Sequence, residues 1–186
     1  KKWIPLFLTQ FLGVLNDNLL KNLIIFVGII WLSEEMQDTV IAIATALLVL
    51  PYILFSPLAG YISQIKDKKT IVRIAKFAEI PIMVIAAIGF ATGSIITLLV
   101  SLFLMGLQSA LYSPSKFGLI KDVAGKSDLN KGTGIMEFLG FIAILVSIVL
   151  AGYISELSVN QITVISVVLI ATAVIGWVAS IKIDPK

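Results

Sequence analysis

TVIAIATALLVLPYILFSPLAGYISQIKDKK, residues 39–69, is the stretch of sequence that decides the fold. Residues 39–65 carry no charged side chain, and residues 66–69 read KDKK. An apolar helix of about 20 residues crosses the roughly 30 Å hydrocarbon core of a bilayer. The stretch therefore predicts a membrane-spanning helix that ends at a basic loop.

Similar apolar runs lie on both sides of this stretch. Of the 186 residues, 59% are hydrophobic and 13% are charged, whereas about 25% of the residues in a soluble domain are charged. The predicted spans are about 3–31, 39–65, 70–92, 94–120, 129–156 and 161–181. We expect residues 1–186 to form one all-α membrane domain of six transmembrane helices, with short loops and antiparallel neighbours.

Basic residues predict how this bundle is oriented. Thirteen of the fourteen fall at one end: Lys1, Lys2, Lys66, Lys68, Lys69, Arg73, Lys76, Lys116, Lys121, Lys126, Lys131, Lys182 and Lys186. The opposite loops carry Glu34, Glu35, Asp38 and Glu156 and no Lys or Arg. The positive-inside rule places both termini in the cytoplasm. The net charge of +3 then reflects topology, and we expect no nucleic-acid partner.

Cysteine and histidine are absent. This excludes Cys/His metal sites, Cys nucleophiles, Ser-His-Asp triads and thiol redox chemistry, and we expect no metal, no cofactor and no enzymatic activity. A dyad of Ser113 or Ser115 with Lys116 would lack an oxyanion hole. Because the chain lacks an initiator Met and a signal-peptide cleavage pattern, we expect a fragment or processed form that retains its first helix.

The sequence LAGYIS occurs twice, at residues 58–63 and 150–155. Both copies lie near the end of a predicted span, the second and the fifth. These spans run in opposite directions, which favours a 3+3 inverted-topology repeat of the kind that transporter halves contain. Coincidence within a largely apolar alphabet is the alternative.

The first span contains polar side chains at its centre, NDNLLKN at residues 16–22. Asp17 lies midway between Trp3 and Trp31, which are expected at the two interfaces, so it is predicted at the midplane. A polar wall for a charged or zwitterionic ligand is one interpretation. Mutual neutralisation of Asp17 and Lys21, with asparagines binding neighbouring helices, is the other. The candidate binding residues are Asn16, Asp17, Asn18 and Lys21.

The fourth span carries a second polar stripe, because Gln108, Tyr112 and Lys116 recur at four-residue spacing. Pro114 is predicted to break the helix beside Lys116, and a broken helix with an ammonium group suits the binding of a phosphate oxygen. Alternatively, Lys116 extends to the cytoplasmic headgroups.

Two further carboxylates lie inside predicted spans. Glu79 and Glu137 are either proton-coupling groups or structural partners of the basic cluster. The loop from Gly60 to Lys69 is expected to serve gating or structure and not substrate contact; its candidate residues are Gly60, Asp67, Lys68 and Lys69. Close helix approach is expected at Gly13, Gly106, Gly140 and Gly152.

The loop GYISQIKDKK, residues 60–69, resembles the G-x-L-x-D-R-x-G-R-R motif of the major facilitator superfamily. Gly60, Lys68 and Lys69 match the motif, whereas Gln64 replaces its acid and Asp67 its second glycine. The resemblance implies the N-terminal half of a transporter of about twelve helices that rocks against a second half around a midplane site. This chain alone should then be inactive unless it dimerises.

Three more stretches are similar to lysophospholipid transporters, especially those fused to an acyltransferase and an acyl-ligase. They are QFLGVLNDN at 10–18 with Lys21-Asn22, GLQSALYSPSKFG at 106–118 and GIME at 134–137. The resemblance implies movement of lysophosphatidylethanolamine and related lipids from the outer to the inner leaflet of the bacterial inner membrane, where they are reacylated. It also implies two partners, a C-terminal six-helix half and an acyltransferase/acyl-ligase, fused or separate. The acyltransferase uses a His-containing motif, so it cannot reside in this chain.

The chemistry of a lysophospholipid suits these residues. We expect Asp17 to meet a headgroup ammonium, Lys116 to meet the phosphate, and Asn16, Asn18 and Gln108 to bind glycerol oxygens. One alternative is a proton-coupled exporter of other amphiphiles that uses Glu79 or Glu137. Another is a non-transporting anchor for a fused lipid-acylation enzyme.

Overall fold

The structure, a computed structural model, describes residues 3–125, 128–157 and 160–183, which form a bundle of long helices. The helices are α1 (Trp3–Phe26), α2 (Glu34–Ile65), α3 (Lys68–Thr92), α4 (Ile95–Ala124), α5 (Leu129–Ser155) and α6 (Gln161–Ile181). A short 3-10 helix, Gly28–Trp31, follows α1. Five of these segments, all except α3, are apolar and long enough to cross a membrane. The prediction of an all-α bundle of six long helices is confirmed.

The helices α2 and α4 extend furthest beyond the predicted apolar spans. α2 begins at Glu34 instead of Thr39. The carboxylates of Glu34 and Glu35 in its first turn stabilise this start, because they interact favourably with the positive end of the helix dipole. α4 continues to Ala124 without interruption at Pro114. The predicted break at Pro114 is therefore wrong. Proline is tolerated inside membrane helices because neighbouring helices and local adjustment compensate for the missing backbone hydrogen bond.

The helix contacts follow a two-fold pattern. α2 packs on α4 as α5 packs on α1, and α3 packs on α4 as α6 packs on α1. The two remaining large contacts, α3 with α6 and α1 with α4, join equivalent helices of the two halves. Exchanging α1–α3 with α4–α6 therefore reproduces the packing, as a 3+3 repeat requires. The two LAGYIS segments lie at the ends of the equivalent helices α2 and α5.

One end of the bundle gathers most of the basic residues, and we call it the basic end. There, the Lys68 ammonium lies 3.0 Å from the Asp122 carboxylate, and the Arg73 guanidinium donates to the Ile181 carbonyl. Trp3 lies beside Gly132, so the start of α1 is also at this end. The predicted basic residues Lys1, Lys2, Lys126 and Lys186 lie outside the described residues.

Glycine permits close packing at two of the four predicted positions. A Cβ on Gly106 would lie 2.8 Å from the Leu48 carbonyl oxygen, so α2 and α4 touch backbone to backbone there. A Cβ on Gly13 would lie 2.5 Å from Lys76 Nζ. Gly140 makes ordinary contact, and a Cβ on Gly152 would meet no described atom within 4 Å.

Candidate functional site

A buried ion pair within α3 is hydrogen-bonded to α1 inside the bundle. The Lys76 ammonium lies 2.5 Å from Glu79 Oε2, and Asn16 Nδ2 donates to Glu79 Oε1 at 2.7 Å. Lys76 and Glu79 are each 1% exposed. A structural partnership with the basic cluster was one of the two roles expected for Glu79, and Lys76 is the partner. Lys76 was counted with the basic residues of one end, but its side chain points into the bundle. Its three-residue spacing from Glu79 was the signal for an intrahelical pair.

Asp17 binds α4 and not its neighbour on α1. Ser109 Oγ donates to Asp17 Oδ2 at 2.7 Å, while Asp17 Oδ1 has no partner among the described residues. The Lys21 ammonium reaches the side-chain oxygen of Asn18 at 3.5 Å. Within the described chain Asp17 and Lys21 form no ion pair, so they do not neutralise each other. Ser109 was missed by sequence reasoning, since one serine among several carries no signal.

The polar residues 16–22 divide among several neighbours. Asn16 binds α3, whereas Asn22 Nδ2 donates to Ser147 Oγ of α5 at 3.2 Å. Asn18 Nδ2 donates to the Val14 carbonyl within α1. The predicted polar wall is thus a set of contacts to different helices, and not one continuous surface.

The polar stripe of α4 is also divided. Gln108 Nε2 donates to the Ala75 carbonyl of α3 at 3.0 Å, and the Tyr112 hydroxyl donates to Gln10 Oε1 at 3.3 Å. The Lys116 ammonium lies 5.4 Å from the centroid of the Tyr112 ring and 4.8 Å from that of Phe117. Such contacts with aromatic faces stabilise a cation.

A small open cavity of about 250 Å³ lies between α1, α2, α4 and α5, and we call it the polar cup. Its polar lining residues are Gln10, Tyr52, Ser113, Lys116 and Glu137. The cup thus brings together two of the predicted residues, Lys116 and Glu137, from different helices. Asn16, Asp17, Asn18 and Gln108 do not line it. Gln10, Tyr52 and Ser113 were not among the predicted binding residues, because uncharged polar residues are common in such helices.

A larger groove of about 600 Å³ runs between α2, α3 and α4. Its walls are almost entirely apolar, with Gln108 and Tyr112 on one side and Lys66 and Thr70 near the basic end. It shares none of the polar lining residues of the cup. An apolar groove of this kind suits hydrocarbon, and Lys66 is its one charged lining residue among the described residues.

In the basic loop, residues 60–69, the side chains of Lys68 and Asp67 form hydrogen bonds to other parts of the structure. A Cβ on Gly118 would lie 2.8 Å from the Lys68 stem, so Gly118 leaves room for Lys68 to reach Asp122. Asp67 Oδ2 accepts from the backbone N–H and the hydroxyl of Thr70, at 2.9 and 2.7 Å, and caps α3. These bonds hold the pKa of the Asp67 carboxyl below its ordinary value of 3.8. Gly60 has open space around it within the described chain.

Across residues 3–125, 128–157 and 160–183, no group of three or more His, Cys, Asp or Glu residues is arranged to hold a metal ion. The chemistry that this arrangement supports is recognition of charge by a buried ammonium, a carboxylate and neutral donors.

Comparison with known proteins agrees with this architecture. The family model described as Major Facilitator Superfamily matches residues 6–186. A lysophospholipid transporter LplT from Salmonella newport is 28% identical over the whole chain, and one from Serratia proteamaculans is 24% identical over 95% of it. The chain spans 43% and 42% of the length of these relatives, respectively, and matches their N-terminal half. No solved structure matches the chain. With its apolar helices, it is a multi-pass membrane protein and belongs to the major facilitator superfamily.

Proposed function

We propose that this chain is the N-terminal half of a transporter that moves lysophospholipids across the bacterial inner membrane. The observation that carries the proposal is the state of Lys116. Its side chain is only 9% exposed, it lines the polar cup, and no described carboxylate lies within ion-pair distance of its ammonium. A charge inside a membrane protein requires a partner. An anionic ligand supplies one.

The geometry of the cup favours phosphate as that anion. The cup is small and bordered by apolar and aromatic side chains, so it suits a headgroup and not a whole lipid. Tyr52 and Ser113 also line the cup and carry hydroxyl donors, and phosphate oxygens accept such bonds well. The single acyl chain can remain in the surrounding lipid, because only the headgroup requires polar surroundings.

Translocation proceeds by alternating access against a C-terminal six-helix half. The relatives, which are named lysophospholipid transporters, are more than twice as long as this chain, which leaves room for that half. An acyltransferase/acyl-ligase, fused or separate, reacylates the lipid on the cytoplasmic side. The basic end faces the cytoplasm, following the positive-inside rule.

The polar residues of α1 serve the same path at a deeper level. Asn16 Oδ1 and Asp17 Oδ1 each lack a partner among the described residues, so each can bind the substrate or the second half. We propose that Asn16, Asp17, Asn18 and Lys21 contact the headgroup after it leaves the cup. Glu79 is held by Lys76 and serves structure, whereas the basic loop with Lys68 and Lys69 serves gating.

The test is translocation of lysophosphatidylethanolamine by the full-length protein in cells. We expect Lys116→Ala to lower the rate by about tenfold or more, because it removes a charge-assisted bond to phosphate. Asp17→Asn should also lower the rate, since it removes the charge deeper on the path. The control is Lys121→Ala, which changes an exposed lysine in the last turn of α4.

Membrane abundance is measured for every variant. Unchanged rates in both the Lys116 and Asp17 variants would show that these charges are structural and that the headgroup binds elsewhere. Absence of translocation by the unmodified protein would overturn the proposed function.

A further inference from the structure

Glu137 occupies a position that requires explanation. It lies two turns inside α5, a helix apolar enough to cross a membrane, and yet its side chain is exposed. A carboxylate facing lipid at this depth would be costly. The face that carries Glu137 must therefore line a space that contains water or a polar ligand.

Glu137 shares that space with Lys116. Both side chains line the polar cup, one from α5 and one from α4. Lys116 lies eight residues before the end of α4 and Glu137 eight residues after the start of α5, so both lie about 12 Å from the basic end. They do not pair within 4 Å. The cup thus presents an ammonium and a carboxylate at one depth, each free to bind a ligand.

The rest of the cup lining, between these two residues, is uncharged. Gln10 spans it, because its Oε1 accepts from Tyr112 and its Nε2 lies 3.6 Å from where a Cβ on Gly140 would be. Gly140 lies three residues after Glu137 and adds no side chain to the cup. Among the described residues that line the cup, Lys116 and Glu137 are the two charged ones.

We propose that Glu137 is the residue that selects a cationic headgroup: Lys116 binds the phosphate while the Glu137 carboxylate binds the ammonium attached to it. A zwitterion of the phosphoethanolamine type complements such a pair of opposite charges. This inference rests on the proposed function. It assigns the ammonium to Glu137 in place of Asp17, because Asp17 does not line the cup and already binds Ser109.

The experiment compares two lysophospholipids in the full-length protein, lysophosphatidylethanolamine and lysophosphatidylglycerol. Both carry the phosphate, but only the first carries an ammonium. Glu137→Gln should lower transport of the ethanolamine lipid by about tenfold, the effect of losing one charge-assisted bond, and leave the glycerol lipid within about twofold. Glu137→Asp should restore part of the preference. Glu156→Gln, at the exposed end of the same helix, is the matched control.

Each other outcome has a distinct meaning. Equal loss of both lipids in Glu137→Gln, or no change in either, would overturn the selection role and leave the proposed function intact. If Lys116→Ala abolished transport of the ethanolamine lipid alone, the assignment of phosphate to Lys116 would be wrong. The proposal that the polar cup binds both charges of the headgroup would then also be wrong. If the unmodified protein transported neither lipid, the proposed function and this inference would both fail.

Discussion

Lys76 shows how the position of one side chain can differ from what a count of charges suggests. In sequence it continues the basic cluster that starts at Lys66, but in the structure it points inward and binds Glu79. A buried charge without a partner costs several kcal/mol, whereas a hydrogen-bonded pair is tolerated. Because each charge of the pair compensates the other, α3 can bury both side chains inside the bundle.

Removing one member of this pair should destabilise the protein strongly. We expect Lys76→Met or Glu79→Gln alone to cost about 3–5 kcal/mol, because the remaining charge or its donors stay buried without compensation. The double variant should cost much less than the sum of the two, since it leaves no buried charge and a glutamine can still accept from Asn16. The unfolding midpoint of the purified full-length protein in detergent measures these costs.

The control for these three variants is Lys121→Met, which replaces an exposed lysine and should leave the unfolding midpoint unchanged within experimental error. Additive losses in the double variant would contradict the coupling. They would mean that Lys76 and Glu79 contribute to stability through separate contacts.

At the scale of the helices, the contact of α2 with α4 depends on Gly106. A Cβ there would lie 2.8 Å from the Leu48 carbonyl oxygen and 3.1 Å from that of Leu47, and backbone atoms cannot rotate away as a side chain can. We expect Gly106→Ala to destabilise the protein by roughly 1–3 kcal/mol, because α2 must shift. Thermal unfolding of the purified protein measures the loss.

Gly152→Ala is the matched control, since it makes the same change in α5 where a Cβ would meet no described atom within 4 Å. It should be neutral or stabilise by up to about 1 kcal/mol, because alanine favours helix. A Gly106→Ala protein as stable as the Gly152→Ala protein would show that α2 and α4 do not pack this closely.

The helices themselves could be predicted from the sequence, but their partners could not. Apolar run length and basic loops locate all six helices, because the bilayer imposes both features. Four-residue spacing correctly places Tyr112 beside Lys116 within α4. The spacing contains no information on which helix faces another. The bond from Ser109 to Asp17 and the presence of Lys116 and Glu137 in one cup could therefore be found only from the structure. The continuity of α4 at Pro114 likewise depends on its neighbours.

At the scale of the whole molecule, the polar cup lies on a face that the chain leaves uncovered. The cup opens between α1, α2, α4 and α5. On α5, Glu137 and the exposed Phe141 line the cup, and the exposed Phe138 lies next to Glu137 in sequence. Lipid would suit the phenylalanines but not the carboxylate. The second six-helix half proposed above would accommodate both by enclosing a water-filled path, and rocking of one half against the other would then move the headgroup.

This arrangement predicts that the 186-residue chain needs a second half to transport. Expressed alone, the chain should enter the membrane, because its apolar helices suffice for insertion, but should move no lysophosphatidylethanolamine. Co-expression of the remaining part of the full-length protein as a separate polypeptide should restore translocation, since packing between the halves needs no covalent link. Lys116→Ala in the chain should abolish the restored activity while both polypeptides remain abundant. Translocation by the chain alone would contradict this prediction and show that two copies can form the path, with one copy covering the polar cup of the other.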